Sequence, residues 1–368
     1  MSRSTRTRPD SRDANRRRAR RRRSFRGSGT AVLLPLKLDL WPHRVEDERK
    51  KEGVRTSTVM SAGRGELLER SRELSTLRDW LSVVAADSHG RLVLVGGEAG
   101  VGKTALLRRL RDEHKDGPRF LWGACEPLFT PRPLGPLLDI AELTDGELRE
   151  VAEIGARPHD VVAALIRELG ARAPGVLVLE DMHWADEATL DVLRLLARRI
   201  ATVPALVLAS YRDDELDGGH PLRIVLGELG RGEEVSRLSL APLSPVAVAK
   251  LAEPGGLDAE ELYRTTAGNP FFVTEVLAAG EGKIPATVRD AVLARMARVS
   301  PSARTLLEAV AVAPPRVELW LLDSLAGEAA DRLEECLAAG MLTPDSGGVA
   351  FRHELARIAV EESLAPDA

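Results

Sequence analysis

Eight consecutive residues, 97–104, have the types and spacing that bind phosphate. They read Gly-Glu-Ala-Gly-Val-Gly-Lys-Thr and fit the phosphate-binding P-loop pattern G-x-x-x-x-G-K-[ST]. The glycines let the backbone wrap a phosphate chain with its N–H groups pointing inward. Lys103 would place a positive charge near the β- and γ-phosphates, and the Thr104 hydroxyl would complete a Mg²⁺ shell. The candidate nucleotide-binding residues are Gly97, Glu98, Ala99, Gly100, Val101, Gly102, Lys103 and Thr104.

The residues on either side favour the elements that must hold such a loop. Residues 91–95 form a short apolar, β-branched run that is typical of a buried strand. Residues 105–110 have the composition of a helix with one apolar face, and the start of that helix would turn its positive end to the phosphates. A glycine-rich loop also serves as a plain turn. Strand, loop and helix in this order favour phosphate binding.

Two acids follow a second apolar run at the position where such a loop needs them. Residues 176–179 predict a buried strand, and Glu180 and Asp181 come directly after it. In open parallel sheets ligands bind at the carboxyl ends of the strands, so these acids are expected beside the loop. One carboxylate would bind Mg²⁺ and the other would polarise the attacking water. The candidate metal ligands are Thr104, Glu180 and Asp181. The alternative is a pair of acids that caps the next helix.

Arg212 is the third candidate catalytic residue, beside Glu180 and Asp181. It follows the predicted strand 205–209 by three residues. An arginine at that strand end can reach a γ-phosphate and respond to its hydrolysis. The alternative is a surface arginine paired with one of the acids that follow it, at positions 213–215.

The order of elements predicts an α/β fold with a doubly wound parallel sheet. Buried strands at 91–95, 120–124, 176–179 and 205–209 alternate with helical segments. Beyond Pro242 and Pro245 the pattern becomes helical, at 246–252, 259–266, 272–278, 287–299 and 303–312. Gly347 and Gly348 are expected to close a short hairpin.

Composition indicates a globular protein in a reducing, cytoplasmic setting. The 368 residues are 44% hydrophobic and 29% charged, and only two are cysteines. Two cysteines are too few for a disulfide scaffold or a metal cluster. The sequence has no apolar run of about 18 residues, so we expect no membrane span.

The net charge of −4 conceals an asymmetry between the two parts of the chain. Residues 1–59 hold 18 basic and 7 acidic residues, and the remainder holds 34 basic and 49 acidic residues. An acidic body argues against a broad nucleic-acid-binding face. We predict that residues 1–59 are a disordered Arg-rich extension, or one translated upstream of a true start at Met60. The alternatives are binding to an anionic surface and a twin-arginine export signal.

Several motifs in order resemble the STAND-type regulatory ATPases, specifically the nucleotide-binding region of large LuxR-type regulators related to MalT. The same ATPase block is attached to class III adenylate cyclases. The resemblance covers residues 64–365. Residues 68–74 are similar to the segment that packs near the adenine, 97–104 to Walker A, and 176–186 to the extended Walker B. Residues 210–212 are similar to the sensor strand, 268–272 to the G-x-P turn, and 351–355 to the motif that closes a winged-helix domain.

The resemblance implies a P-loop ATPase core at 60–243, a helical lid at 244–300 and a winged-helix-like domain at 301–368. It also implies that Pro270 lies against the nucleotide base and that His353 senses the bound diphosphate. The first acid of the Walker B pair is usually Asp in this family, whereas here it is Glu180. The metal ligand is therefore either Glu180 or Asp181. Family members usually continue into helical repeats and a helix-turn-helix, so the chain is expected to be a truncated module without an output domain.

The predicted function is an ATP-binding signalling switch that hydrolyses ATP slowly, with ATP or ADP and Mg²⁺ as cofactors. The expected partners are the nucleotide and a second copy bound through the ATPase core. No helix-turn-helix is visible in the sequence to support DNA binding. Two alternatives remain: a DNA-binding regulator that uses the winged-helix-like segment, and a truncated fragment that holds ADP without turnover.

Overall fold

The computed structural model describes residues 67–128, 130–144, 146–154, 157–216, 218–230, 232–280, 284–313 and 316–364. All of them belong to one compact unit, Thr58–Ala368. The predictions about the extension 1–59 and a start at Met60 lie outside the described residues. Within the described part, no helix combines the length and the apolar character that crossing a membrane requires.

A five-stranded parallel sheet forms the larger part of this unit. Its strands are β1 (Arg91–Gly96), β2 (Arg119–Ala124), β3 (Gly175–Glu180), β4 (Ala205–Ser210) and β5 (Val235–Ser239). The order across the sheet is β2-β3-β4-β1-β5, and every neighbouring pair is parallel. The four strands predicted from the sequence are confirmed. β5 was missed because it lies at the sheet edge, is only partly buried and alternates polar with apolar residues.

Helices cover both faces of this sheet, which confirms the doubly wound α/β fold. Two hydrophobic clusters fill the space between sheet and helices, one on the side of α1 and α2 and the other on the side of α3–α7. The helices are α1 (Ser71–Asp87), α2 (Lys103–Glu113), α3 (Gly135–Glu142), α4 (Glu147–Glu153), α5 (Pro158–Ala171), α6 (Glu187–Ala197) and α7 (Pro221–Leu229).

The remaining residues form a helical region and a small antiparallel sheet. The helices are α8 (Pro245–Ala252), α9 (Ala259–Thr266), α10 (Pro270–Ala279), α11 (Ala286–Met296), α12 (Pro301–Val312), α13 (Leu319–Ala326), α14 (Leu333–Ala338) and α15 (Glu354–Glu361). The strands are β6 (Arg316–Glu318), β7 (Leu342–Asp345) and β8 (Gly348–Phe351), in the order β6-β8-β7. The hairpin predicted at Gly347 and Gly348 joins β7 to β8.

Two further hydrophobic clusters stabilise this second part. One lies among α8, α9 and α10, and the other among α11–α15 and the small sheet. Ser244 and Ser300 are N-caps of α8 and α12, and the hydroxyl of each accepts a backbone N–H bond three residues on. Domain boundaries at 243/244 and 300/301 stay predictions.

The topology brings three strand ends together. β3, β4 and β1 are consecutive in the sheet, and each is followed by a candidate functional segment. Glu180 is the last residue of β3, Arg212 lies two residues beyond β4, and the P-loop follows β1. Parallel strands place all three segments at one edge.

Candidate functional site

The P-loop backbone adopts conformations that only glycine takes without strain. Gly97, Gly100 and Gly102 have φ of 146°, 80° and 100°. A Cβ on Gly97 would lie 2.9 Å from the Leu240 carbonyl oxygen, and one on Gly100 would lie 2.8 Å from the Asn269 Oδ1. Open space lies beside Gly102, immediately before α2 begins at Lys103. Leu240 and Asn269 therefore restrict the loop at Gly97 and Gly100, while Gly102 directly before α2 has no such neighbour.

The Lys103 ammonium lies inside this loop. Its Nζ donates to the carbonyl oxygens of Gly97 at 2.6 Å and Glu98 at 2.9 Å, and the residue is 7% exposed. Burial lowers the pKa of Lys103, and the positive charge of Arg212 lowers it further. Among the described residues, the hydrogen bonds of this buried cation go to carbonyl oxygens alone, and anionic oxygens would stabilise it further.

Glu180 is held by two side chains. The Thr104 hydroxyl donates to its Oε1, and the Trp122 indole Nε1 donates to its Oε2 at 2.8 Å. Glu180 is 7% exposed. The structure thus brings together Thr104 and Glu180, two of the metal ligands expected from the sequence. It adds Trp122, which no motif indicated.

Asp181 occupies the turn that follows β3. Its φ is 55°, and its backbone N–H donates to the Ser210 hydroxyl at 3.2 Å. Burial raises the pKa of Asp181, against the lowering effect of Arg212 and Lys103 nearby. The Asp181 carboxylate is therefore within electrostatic range of both Arg212 and Lys103.

The oxygen donors of Thr104, Glu180 and Asp181 suit a magnesium ion that is shared with phosphate. Mg²⁺ prefers oxygen ligands and usually binds through one or two carboxylates, substrate phosphates and water. Across the described ranges, no cluster of three or more His, Cys, Asp or Glu side chains could hold a metal by itself. A metal here would depend on phosphate oxygens, as a P-loop requires.

Arg212 is engaged by neighbouring groups. Its Nη1 lies 2.6 Å from the Glu215 Oε1, and its guanidinium carbon lies 4.7 Å from the Trp184 ring centroid. The pairing with a following acid, which the sequence left open, is thus present. Arg295 of α11 also reaches this acid at 3.3 Å and Asp214 at 2.6 Å. Arg212 therefore shares Glu215 with a helix of the second part.

His183 is enclosed between two of these acids. Its Nδ1 lies 3.9 Å from the Asp181 Oδ1, and its Nε2 lies 3.5 Å from the Glu215 Oε2. Both ring nitrogens are buried, and neither has a hydrogen-bond partner among the described residues. Burial, reinforced by Arg212 and Lys103, lowers the pKa of His183 to about 2. The ring is therefore neutral at ordinary pH and is not a cation of this site.

The P-loop also receives contacts from the second part of the chain. Asn269 is 1% exposed, and its Nδ2 donates to the Glu98 Oε1 at 2.7 Å and to the Ala99 carbonyl at 2.8 Å. The Phe271 backbone N–H donates to the Gly100 carbonyl at 3.2 Å. Pro270 lies between these two residues at the start of α10. Its contact with a nucleotide base stays a prediction.

His353, between β8 and α15, approaches the same P-loop residue. Its Nε2 lies 3.6 Å from the Glu98 Oε2, and its ring packs edge-on against Phe272 at 4.8 Å between centroids. Glu98 is thus placed between Asn269 and His353, which are separated by more than 80 residues. The sequence indicated both residues only through a family resemblance, and nothing in it indicated Glu98 as their common partner.

Arg70, directly before α1, also contacts the loop. Its Nη2 donates to the Val101 carbonyl at 3.2 Å and to the Ala241 carbonyl at 2.5 Å. The residue is 6% exposed, and burial lowers its pKa. The segment that leads into α1 is therefore bonded to the P-loop and to the chain that follows β5.

Comparison with known proteins finds a family that matches part of the chain. Residues 66–208 match the AAA ATPase domain family. The uncharacterized protein R02095 of Rhizobium meliloti (strain 1021) is 29% identical over an alignment 366 positions long. The alignment covers 79% of this chain and 35% of that protein. The chain thus spans about a third of the length of this curated relative.

Solved structures share the fold at low sequence identity. The Walker-type ATPase PABY2304 of Pyrococcus abyssi has a TM-score of 0.54 at 15% identity, over 79% of this chain and 95% of that chain. PH0952 of Pyrococcus horikoshii, a STAND protein with a tetratricopeptide-repeat sensor, has a TM-score of 0.38 at 15% identity, over 79% of this chain and 42% of that chain. Only the first likeness bears on the fold. Residues 66–208 match an AAA ATPase domain, and the fold around them is that of a P-loop NTPase.

Proposed function

We propose that the chain binds ATP or ADP with Mg²⁺ at residues 97–104 and acts as a signalling switch that hydrolyses ATP slowly. The observation that carries this proposal is the position of Glu98. A P-loop residue contacts both Asn269 of the helical region and His353, which lies between β8 and α15. A change in the loop therefore reaches both regions directly.

Binding of phosphate would compete with contacts that the loop now makes internally. Lys103 would exchange its two carbonyl partners for phosphate oxygens, and the new charge would lie near Glu98. Loss or reorientation of the bonds from Asn269 and His353 would then follow. A difference of a few kcal/mol in contact free energy between the two conformations is enough to shift their equilibrium substantially.

The remaining candidate residues have roles in the hydrolysis step. Mg²⁺, when bound, would neutralise charge on the phosphates. Thr104 and Glu180 would hold it, and Asp181 would accept a proton from the attacking water. Arg212 would leave Glu215 to contact the γ-phosphate. Because that exchange breaks an ion pair shared with Arg295, turnover is expected to be slow.

We further propose that this switch is the regulatory ATPase module of a LuxR-type transcriptional regulator. The ordered motifs from residue 68 to residue 355 support this assignment. The contacts of Asn269 and His353 support it as well, because they join the regions that those motifs mark. Self-association through the ATPase core stays a prediction.

Nucleotide binding and turnover by three variants test the proposal. Lys103→Ala should weaken ATP binding about tenfold to 100-fold, because it removes a charged hydrogen-bond donor. Asp181→Ala should bind ATP but lose turnover by about 100-fold or more. Lys115→Ala, an exposed lysine at the far end of the sheet, is the matched control and should change neither.

The outcome separates a switch from a fragment locked with ADP. A single-turnover measurement on purified protein freed of nucleotide should show slow loss of ATP that Asp181→Ala abolishes. ATP binding without any loss of ATP in the wild type would contradict the hydrolysis half of the proposal. Binding that is equal in Lys103→Ala and Lys115→Ala would contradict the P-loop site itself.

A further inference from the structure

Trp122 contacts the candidate magnesium site without belonging to any nucleotide-binding motif. Its indole Nε1 donates to the Glu180 Oε2 at 2.8 Å, while the Thr104 hydroxyl donates to Oε1. Each oxygen of this nearly buried carboxylate therefore has its own donor. An indole N–H only donates, so it can serve this anion but cannot compete with it as a metal ligand.

The pairing of β2 with β3 explains how the indole reaches this position. Trp122 lies opposite Val178, and Glu180 is two residues further along β3 on the same face of the sheet. Diagonal neighbours of this kind are within reach of aromatic and long side chains. A one-residue change in register would move Glu180 to the other face, so the contact depends on the pairing that the sheet already fixes.

The Trp122 ring itself has two kinds of packing neighbour. It packs on the hydrophobic cluster between the sheet and helices α1 and α2. The guanidinium carbon of Arg111 lies 5.3 Å from its ring centroid. The ring thus forms a fixed point from which its N–H is aimed at Glu180.

A fixed donor matters for a glutamate because its long side chain has several rotatable bonds to order. Without the indole, Oε2 would be buried without that donor, and the carboxylate would turn to satisfy both oxygens elsewhere. We propose that Trp122 is a positioning residue of the magnesium–nucleotide site, which keeps the Glu180 Oε1 at the Thr104 hydroxyl. The inference rests on the proposed function, because it takes Thr104 and Glu180 as the magnesium-binding pair.

The test compares ADP affinity with Mg²⁺ and with EDTA, by calorimetry on the full chain. Trp122→Phe should reduce the gain in affinity that Mg²⁺ provides by about tenfold, the effect of one hydrogen bond to a charged group. ADP affinity in EDTA should stay within about twofold, since the P-loop is untouched. A purely structural role for Trp122 would weaken both.

Trp80→Phe is the matched control. Trp80 packs on the same hydrophobic cluster, and the Arg91 guanidinium carbon lies 5.7 Å from its ring centroid. It makes an equivalent stacked pair, but it lies on α1 and away from Glu180. Trp80→Phe should leave the Mg²⁺-dependent gain unchanged.

A second variant keeps the inference testable whatever Trp122→Phe does to folding. Glu180→Asp shortens the side chain by one methylene and should withdraw the carboxylate from the indole. The indole N–H resonance of Trp122 should move in Glu180→Asp, and that of Trp80 should not. Trp122→Phe added to Glu180→Asp should cause no further loss of the Mg²⁺-dependent gain.

The results distinguish this inference from the proposed function. A wild type that binds no ADP, or that gains nothing from Mg²⁺, would overturn both. A wild type with a clear Mg²⁺-dependent gain that Trp122→Phe preserves as fully as Trp80→Phe does would overturn the role of Trp122 alone. An unmoved Trp122 indole resonance in Glu180→Asp would do the same.

Discussion

At the residue scale, the site concentrates charged groups where water is largely excluded. Burial lowers the pKa of Lys103 and raises that of Asp181, while the positive charge of Arg212 lowers the pKa of both. His183, between two acids, stays neutral. Lys103 and Asp181 form hydrogen bonds. Arg212 forms an ion pair, and His183 lies between two carboxylates. The arrangement is costly for the protein alone and suited to a ligand that brings phosphate and a cation.

Asp181→Asn should therefore stabilise the protein when metal and nucleotide are absent. Burial raises the pKa of Asp181, which means that its charged form is disfavoured in the folded state. A neutral amide removes that penalty, and we expect a gain of about 1 kcal/mol or less because the side chain is partly exposed and screened. Urea unfolding in EDTA at pH 7 measures it. The surface change Asp191→Asn should give no gain, and a loss of stability in Asp181→Asn would contradict the account.

Sequence reasoning indicated candidate site residues where they lie within one local motif. The P-loop and the pair Glu180 and Asp181 could be predicted because each follows its own strand in a recognisable order. Trp122 and Arg295 could not be predicted, because each contacts the site through the fold. Trp122 depends on the register of β2 with β3, and Arg295 reaches Asp214 across 81 positions.

At the scale of elements, the turn between α9 and α10 determines how the helical region meets the P-loop. Gly268 has a φ of 72° and directly precedes Asn269, the N-cap of α10. The Leu243 N–H donates to the Gly268 carbonyl at 2.8 Å. A Cβ on Gly268 would lie 2.1 Å from the Leu243 carbonyl oxygen. Only glycine fits this position without moving the backbone.

Gly268→Ala should destabilise the protein and weaken nucleotide binding together. Gly256 is a matched control, since it has a φ of 66° and open space where a Cβ would lie. Both changes carry the left-handed strain of about 1–2 kcal/mol, and only Gly268→Ala adds a clash with backbone. Urea unfolding should show a loss at least about 1 kcal/mol larger for Gly268→Ala. Equal losses would contradict the packing of this turn.

The contact between the Glu69 carboxylate and the N-terminus of α8 predicts a pH-dependent contribution to the free energy of unfolding. Ser244 donates to Glu69 through its hydroxyl and through its N–H at 2.8 Å, and these bonds lower the pKa of Glu69. A carboxyl with a lowered pKa stabilises the fold above its unfolded pKa near 4.5, and this contribution is lost as pH falls through the lowered value.

Glu69→Gln should therefore cost about 0.5 kcal/mol at pH 7, the value of a charge at an exposed helix N-terminus. The difference from the wild type should shrink as pH falls below about 4.5. Glu253→Gln at the carboxyl end of α8 is the control, and it should give no loss because a negative charge there opposes the helix dipole. A deficit of Glu69→Gln that stays constant from pH 7 to pH 3 would rule out this contribution.

Elements were predictable from the sequence where burial is complete. β1, β3 and β4 read as continuous apolar runs because helices cover both faces of the sheet. β5 and β6 were not predicted, because an edge strand and a three-residue strand carry too few buried positions to form a pattern. The hairpin of β7 and β8 was predicted from its two glycines and the apolar residues 349–351 that follow them.

At the scale of the whole molecule, the P-loop is a meeting point for distant parts of the chain. Arg70 precedes the first helix, Asn269 and Phe271 begin α10, and His353 follows β8. All of them contact residues 98–101. We infer that the structural effect of nucleotide binding at this loop passes through Glu98 to α10 and to the segment before α15.

Hydrogen–deuterium exchange in two nucleotide states tests this central claim most directly. The wild-type chain is saturated with Mg²⁺–ADP or with a non-hydrolysable Mg²⁺–ATP analogue, and exchange is followed in peptides that cover residues 97–104, 268–272 and 351–355. The account predicts that all three peptides differ between the two states, and that Glu98→Ala retains the difference at 97–104 while losing it at the other two. Identical exchange at 268–272 and 351–355 in both saturated wild-type states would contradict it.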